Sequence, residues 1–391
     1  MESIAKADPN ISSGATNRPR GHQSLARIPE LDGFRAIAVL TVLIHHGFYG
    51  FPTPPEGLSW LPRIPREIIS HGWLGVDLFF ILSGFLITGI LLDTRETEHF
   101  FRNFYARRAL RILPLYLTCI FIMYFAYPGH GAYFALALLF MANFTHYFHV
   151  ASPHGPGVFW SLAVEEHFYL VWPLLVRFLS RSALLVTSLI LVFGTPILRG
   201  FCAFLGMEPE LEIYTYSFFR FDGLALGAIL AIWARSPYYT RDYAWKIAGA
   251  LVGLSLLFTI GGLPFGVMQT RTVASSALRF TQAQLFFAAS MVLALVYRGT
   301  PYTALLRSKF AKLSSDLSYC IYLIHLCLGD FYYYLLKVAQ FDDVAQFGAI
   351  GSVLARTLVI AGSSFALAAI SKKYLEDPIL SFKRYFEAQR A

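Results

Sequence analysis

The sequence predicts an all-α fold: a polytopic bundle of transmembrane helices with about ten spans. Three observations predict it. Hydrophobic residues make up 56% of the 391 residues and charged residues only 14%, whereas an ordinary soluble domain carries about 25% charged residues. The mean hydropathy is +0.53. About eleven apolar runs recur along the chain, each near the length that marks a candidate membrane helix. Stretches of about ten residues with strict alternation, the mark of a transmembrane β-barrel, are absent from the sequence, and in lipid the backbone must satisfy its own polar groups, which favours helices.

The runs cover 34–50, 73–92, 112–127, 132–149, 158–179, 183–203, 216–233, 245–263, 278–297, 316–337 and 348–370. The seventh and ninth hold several polar residues. Connections are mostly short and leave no room for a soluble domain. Residues 1–30 form a polar tail with Lys6, Arg18, Arg20 and Arg27, 31–380 a single membrane domain, and 381–391 a basic tail. The first run follows the tail without a small-residue cleavage site, so it is expected to be a retained span and not a signal peptide.

The net charge of +8 does not point to nucleic acid. The excess Lys and Arg lie in loops 93–111, 234–246 and 298–312 and in the tail from 371, the pattern of the positive-inside rule. These segments, and both termini, are expected on the cytosolic side. The loop 204–212, with Glu208, Glu210 and Glu212, is expected outside. Two cytosolic termini need an even number of crossings, so one of the eleven runs is expected to be re-entrant, broken or merged. The four cysteines, Cys119, Cys202, Cys320 and Cys327, lie in apolar runs without metal-ligand spacing. They read as small buried hydrophobes, and no metal is expected. No internal repeat is visible, which weakens a transporter built on inverted repeats.

Ionisable residues inside such runs are expensive and default to a functional pocket. The first run reads "LDGFRAIAVLTVLIHHGF". His46 lies eleven residues after Arg35, roughly 20° off its face and roughly 16 Å along the axis, whereas His45 falls roughly 80° away. Arg35 and His46 can therefore line one groove. A neutral imidazole there offers the lone pair that a general base needs, although a histidine that merely bonds a neighbouring helix fits the same pattern. The second run, "GWLGVDLFFILSGFLITGILL", places Asp77 near its start, either in a site or in a structural ion pair with an arginine such as Arg35. Its Ser83-Gly84 marks a close backbone approach.

In "FYARRALRILPLY", Arg107 and Arg111 share a helix face and Arg108 adjoins Arg111. A positive-inside anchor would explain three arginines. A guanidinium also offers a fork of donors suited to phosphate oxygens, so the cluster can grip a polyphosphate ligand from the cytosol.

The fifth run, "FWSLAVEEHFYLVWPLL", sets Glu165 and Glu166 side by side. Ser161, Glu165, Tyr169 and Trp172 form one polar and aromatic stripe; Leu162, Glu166, Leu170 and Pro173 form its mostly apolar neighbour. Adjacent carboxylates diverge by roughly 100°, so they do not share a proton. Glu165 is expected to face a cavity, Glu166 to pair with an arginine on another helix, and Pro173 to loosen the helix end. Further on, "FRFDGLALGAILA" puts Arg220 and Asp222 at the mouth of a small-residue helix, and "LSYCIYLIHL" puts His325 mid-span with Tyr319 and Tyr322 nearby. "YLEDPI" closes the last run with Glu376 and Pro378. Arg220, Asp222 and Glu376 suit an interfacial role as well as a site.

Taken in order, these segments resemble the acyltransferase 3 family of integral membrane acyltransferases, from about residue 29 to 380. The resemblance implies transfer of an acyl group, often acetyl, from a coenzyme A thioester to a hydroxyl on a carbohydrate acceptor. Such acceptors include a surface polysaccharide, a lipid-linked sugar and a glycoside. It also implies a bacterial inner membrane. The family's first-helix arginine and histidine fall on Arg35 and His46, its arginine cluster on Arg107, Arg108 and Arg111, and its glutamate on Glu165. Its late glutamate-proline motif falls on Glu376 and Pro378. His45 beside His46 departs from the pattern. Some members carry a C-terminal esterase-like domain, and none is expected in these 391 residues.

The mechanism expected from the residues and the resemblance has the arginines hold the donor's phosphates. His46, oriented by Glu165 or Asp77, removes the acceptor's proton, and Arg35 or a backbone donor stabilises the oxyanion. An acyl-histidine intermediate is the alternative. The rival class is a carrier of a sugar or anionic solute whose buried charges form its pathway.

Overall fold

The computed structural model describes residues 28–49, 62–153, 156–338 and 344–386. Most of the two predicted tails, 1–27 and 387–391, therefore lies outside the described residues. Every described element is helical. The long helices are α1 (Pro29–Tyr49), α3 (Gly75–Asp93), α4 (Phe100–Ala126), α6 (Phe159–Phe178), α7 (Arg181–Phe204), α9 (Arg241–Gly262), α10 (Val273–Val296), α11 (Lys309–Cys327) and α13 (Val344–Ser371). Shorter helices are α2 (Arg63–Ser70), α5 (Gly131–Leu138), α8 (Phe221–Trp233), α12 (Gly329–Val338) and α14 (Asp377–Leu380).

Among the described residues, seven helical segments are long and apolar enough to cross a membrane. Helices α6 and α11, of 20 and 19 residues, are long enough but lack a comparably apolar stretch; α8 is apolar but shorter. Of the eleven apolar runs, 132–149 does not become a long helix. It folds as α5, only 8 residues or roughly 12 Å, followed by the 3-10 turn Ala142–Phe144. The run 316–337 divides into α11 and α12. Phe121, Phe125, Ile190, Ile197, Phe201 and Leu257 are exposed on the outer faces. Apolar side chains around the whole circumference suit a bilayer as solvent.

Helix α1 is central and packs against α3, α11 and α13. Both of its ends are anchored. Glu30 accepts hydrogen bonds from the Gly299 amide at 2.8 Å and Thr303 Oγ1 at 3.1 Å. At the other end, Arg356 Nε donates to the Gly47 carbonyl at 3.0 Å and Nη2 to the Phe48 carbonyl at 3.2 Å. A cation there satisfies carbonyls that have no intrahelical partner and complements the helix dipole.

Helices α3 and α8 approach more closely than side chains would allow. A Cβ on Gly84 would fall on the Leu224 carbonyl, and one on Gly227 on the Ile81 carbonyl. That approach is what the small residues around Ser83-Gly84 and in "GLALGA" make possible. Pro173 lies within α6, which continues to Phe178. Trp172 Nε1 donates to Thr88 Oγ1 at 2.8 Å and joins α6 to α3. Tyr105 OH donates to the Leu170 carbonyl at 2.9 Å, and Tyr319 OH to the Ile112 carbonyl at 2.8 Å. These bonds set α4, α6 and α11 around one space.

Candidate functional site: a cation-lined cavity in the bundle

That space is a cavity of about 530 Å³, within the roughly 300–1,000 Å³ common for ligand pockets. Its walls come from α1, α3, α4, α6, α11 and the segment that follows α13. Along α3 the lining extends from Val76 to Ile90 and on to Thr94, roughly 27 Å at 1.5 Å per residue. The cavity thus traverses most of the depth of the bundle.

Six of the predicted site residues line it: Arg35, Arg107, Arg108, Arg111, Ser161 and Glu165. They come from three helices, so the packing and not any single stripe brings them together. The arginines stand in the second to fourth turns of α4, a helix without an acidic residue in its first turn. Among the described residues, none of the three makes an ion pair. Arg108 lies 4.2 Å above the Tyr169 ring, and its Nε is buried without a hydrogen-bond partner. Altogether, six cationic side chains line the cavity against three carboxylates: Arg35, Arg107, Arg108, Arg111, Lys372 and Lys383 against Asp32, Glu165 and Asp316.

Glu165 faces this space as the stripe predicted. Its Oε1 accepts from Ser83 Oγ at 2.7 Å and its Oε2 from Tyr169 OH at 3.1 Å. Arg35 and Arg108 are the cations in electrostatic reach. Glu166 does not form the predicted ion pair: its Oε1 is buried without a partner. Its phase turns it from Glu165's face toward the apolar stripe, and Arg108 is the cation in electrostatic reach of it without a direct ion pair.

At the far end of the cavity, Ser161 Oγ donates to the Val158 carbonyl at 3.0 Å and shares a short hydrogen bond with Tyr322 OH. Tyr322 packs against His325, ring centroids 5.8 Å apart. His325 Nε2 lies 3.0 Å from His46 Nδ1. His46 is not among the lining residues; it stands one aromatic layer behind Tyr322 and His325. The expected carboxylate partner is replaced here by His325, because Glu165 and Asp77 are already engaged elsewhere.

This pair fixes its own tautomers. His325 Nδ1 faces the carbonyls of Tyr322 at 2.7 Å and Ile321 at 3.1 Å, which can only accept, so Nδ1 carries the proton. In a neutral ring Nε2 then accepts, His46 Nδ1 donates to it, and His46 Nε2 retains a lone pair. The His45 ring meets His46 edge-on, centroids 5.2 Å apart, but its hydrogen bond goes elsewhere, Nδ1 lying 3.0 Å from the Ile69 carbonyl. The phase difference between adjacent helical residues sends the two imidazoles to different neighbours.

Asp77, Arg220 and Asp222 belong to a separate buried network between α3, α7, α8 and α10. Arg220 pairs with Asp77 at 2.9 Å and Arg199 with Asp222 at 2.8 Å, all four side chains being sealed from solvent. Gln284 Nε2 donates to Asp77 Oδ1 at 2.8 Å and Asp222 Oδ1 at 3.2 Å, bridging the pairs. The Arg220 guanidinium lies 3.9 Å from the centroid of Phe280, with Phe80, Tyr214 and Trp160 also around it. Asp77 is thus in a structural ion pair, with Arg220 and not Arg35 as its partner. Glu376 is buried beside Ser371, whose Oγ donates to Oε1 at 3.3 Å. It does not line the cavity.

Sequence reasoning missed Ser83 as a partner of Glu165, the imidazole pair, Lys372 and Lys383. His325 was visible as a mid-span histidine, but its partner is 279 residues away. The two lysines were hidden within a tail whose charge the positive-inside rule already accounted for.

Helices throughout the described residues, an apolar outer surface and a deep cation-lined cavity define the class: a membrane bundle with an internal ligand site. The chain belongs to the acyltransferase domain family (acyltransferase 3), which matches residues 28–371. It is 26% identical to the peptidoglycan O-acetyltransferase OatA of Listeria monocytogenes over 394 aligned positions, covering 92% of this chain and 57% of that protein. It is 29% identical to the O-acetyltransferase OatA of Staphylococcus aureus over 269 positions, covering 60% of this chain and 41% of that protein. YrhL of Bacillus subtilis, whose name gives peptidoglycan O-acetyltransferase as a provisional assignment, is 30% identical over 229 positions, 53% of this chain and 33% of that protein. This chain therefore spans between a third and somewhat over half the length of these relatives. No solved structure matches it. Neither the family nor these names support the carrier reading.

Proposed function

We propose that this protein is an integral membrane O-acyltransferase that moves an acyl group, acetyl first among them, from acyl-CoA to a carbohydrate hydroxyl. The names of the relatives favour peptidoglycan as the acceptor. The observation that carries the reading is the cavity itself: three arginines without a direct ion pair among the described residues at one end, and hydroxyls leading to a tautomerically ordered imidazole pair at the other.

The residues present fit a phosphorylated donor. Arg108 has a buried nitrogen without a partner, and the cavity holds more cations than carboxylates. Arg107, Arg108 and Arg111 bind phosphate oxygens through charge-assisted bonds. Leu86, Ile87 and Leu323 give the inner walls an apolar surface for a slender arm. The donor supplies a thioester carbonyl: the acceptor oxygen bonds to its carbon, the C–S bond breaks, and coenzyme A leaves as the thiol with the proton taken from the acceptor. His46 Nε2 takes the proton of the acceptor hydroxyl, and His325 holds the tautomer that leaves Nε2 free. Glu165 is a positioning residue, held by Ser83 and Tyr169 and keeping Arg35 and Arg108 in place. Arg35 serves the donor end. It lies roughly 16 Å along α1 from His46, too far to stabilise an oxyanion formed beside that imidazole.

We assign the chain ten crossings: the seven apolar segments together with α6, α8 and α11, with the run at 132–149 left on one side. Alternating these crossings from a cytosolic start puts the arginine end of the cavity toward the cytosol of a bacterial cell. His46 then lies toward the outer face.

The test is purified protein mixed with radiolabelled acetyl-CoA. Free thiol should be released when a peptidoglycan fragment is added, and label should appear on the fragment. Flux of an intact solute through reconstituted vesicles without thiol release would establish the carrier class instead.

A further inference from the structure

The segment after α13 folds back over the start of α4. It comprises the π-helical turn Lys372–Glu376, α14 and the 3-10 stretch Ser381–Phe386, and each part contacts α4. It lies beyond the residues that the family match covers. Four of its residues are basic, and they divide by direction. Lys372 and Lys383 line the cavity. Lys373 and Arg384 are exposed, each beside its neighbouring tyrosine, Tyr374 at 4.9 Å and Tyr385 at 5.0 Å.

The positive-inside rule explains a basic segment at the membrane surface. It does not explain why half of the charges turn inward. Lys372 is paired with Asp377 at 2.9 Å. Lys383 has no ion pair among the described residues, and the charges that act on it most strongly are Arg111, Arg107, Arg108 and Lys372, all cations. Like charges gathered in a partly buried space repel one another. A ligand with several negative charges removes that repulsion and takes all of their donors.

We infer that Lys383, assisted by Lys372, is the second wall of the donor's phosphate site, facing the arginines of α4. The segment 372–386 would then act as a strap that closes on a multiply phosphorylated nucleotide. This rests on the acyl-CoA reading and extends it to residues that neither the motifs nor the family match include. A lipid phosphate has the same chemistry as a nucleotide phosphate, so the test must separate the two.

The full chain, in nanodiscs of uncharged lipid, is titrated with coenzyme A and with 3′-dephospho-coenzyme A. Lys383→Gln should weaken coenzyme A binding roughly tenfold, about the loss of one charge-assisted contact. Lys383→Arg should retain most of the affinity. Lys373→Gln and Arg384→Gln, on the outward face, should bind as the parent does, with all variants unfolding at the same temperature. A Lys383→Gln protein that binds coenzyme A like the parent, or outward variants that lose as much, would overturn the inference. So would loss of retained phosphatidylglycerol with nucleotide binding unchanged, which would assign the lysines to lipid. Failure of the parent itself to bind coenzyme A would remove the donor reading along with the strap, and is distinguishable from both.

Discussion

Two regions of this bundle use the same side chains to opposite ends. Between α3, α7, α8 and α10, Arg199, Arg220, Asp77 and Asp222 are fully buried and matched charge for charge, with Gln284 bridging them. Around the cavity, Arg35, Arg107, Arg108, Arg111 and Lys383 outnumber the acids and are only partly buried. A charge sealed with its partner holds helices together. A charge left without one inside the same bundle is available to a ligand. An arginine in an apolar run is thus ambiguous until its partner is known.

The comparison can be broken at either end. The largest expected effect on activity is at the imidazoles. His46→Ala should reduce acyl transfer by about 10²–10⁴-fold, the range of a general base, with thermal unfolding in detergent unchanged. His325→Phe removes the acceptor that orders His46 and should lower turnover too, leaving the donor's KM unaffected. If His46→Ala retained full activity, the base would have to be found elsewhere.

In the sealed network, the expected effect is on stability. Asp77→Ala leaves the Arg220 charge buried and unpaired and should destabilise the protein by about 3–5 kcal/mol. Joint replacement, Asp77→Leu with Arg220→Met, should recover most of that, because the cost lies in the uncompensated charge. Thermal unfolding of the three proteins decides it. A mild Asp77→Ala combined with lost turnover would move Asp77 from scaffold to site.

In the cavity the sign reverses. Arg111→Ala should raise the KM for acetyl-CoA by roughly tenfold, as one charge-assisted contact is lost. It should leave stability unchanged or slightly higher, since a repelling cation is removed. The smallest effect is expected at His45: His45→Ala should change turnover by less than about threefold, because only the Ile69 carbonyl loses a hydrogen bond. Equal losses at His45 and His46 would contradict the different roles that their hydrogen-bond partners give the two rings.

What could be read from the sequence follows a physical boundary. Phase within one helix was legible: Arg107, Arg108 and Arg111 clustered, Ser161 and Glu165 shared a stripe, and His45 and His46 diverged. Charge parity called for an even number of crossings from eleven apolar runs. The sequence did not single out the run 132–149, which among the described residues forms only α5, 8 residues long. Contacts between helices were not legible. Nothing in the spacing of Asp77 selects Arg220 over Arg35, and nothing near His46 announces His325. Lys383 was invisible for another reason: a basic tail already had a sufficient explanation, and only the fold divides its lysines into inward and outward.

The most direct test of the central claim is an experimental structure of the full chain with coenzyme A bound. The account predicts density for the nucleotide phosphates against Arg107, Arg108, Arg111 and Lys383, with the thiol arm directed along α3 toward Ser161 and Tyr322. Coenzyme A bound outside this cavity, or an arm pointing away from the His46–His325 pair, would contradict it.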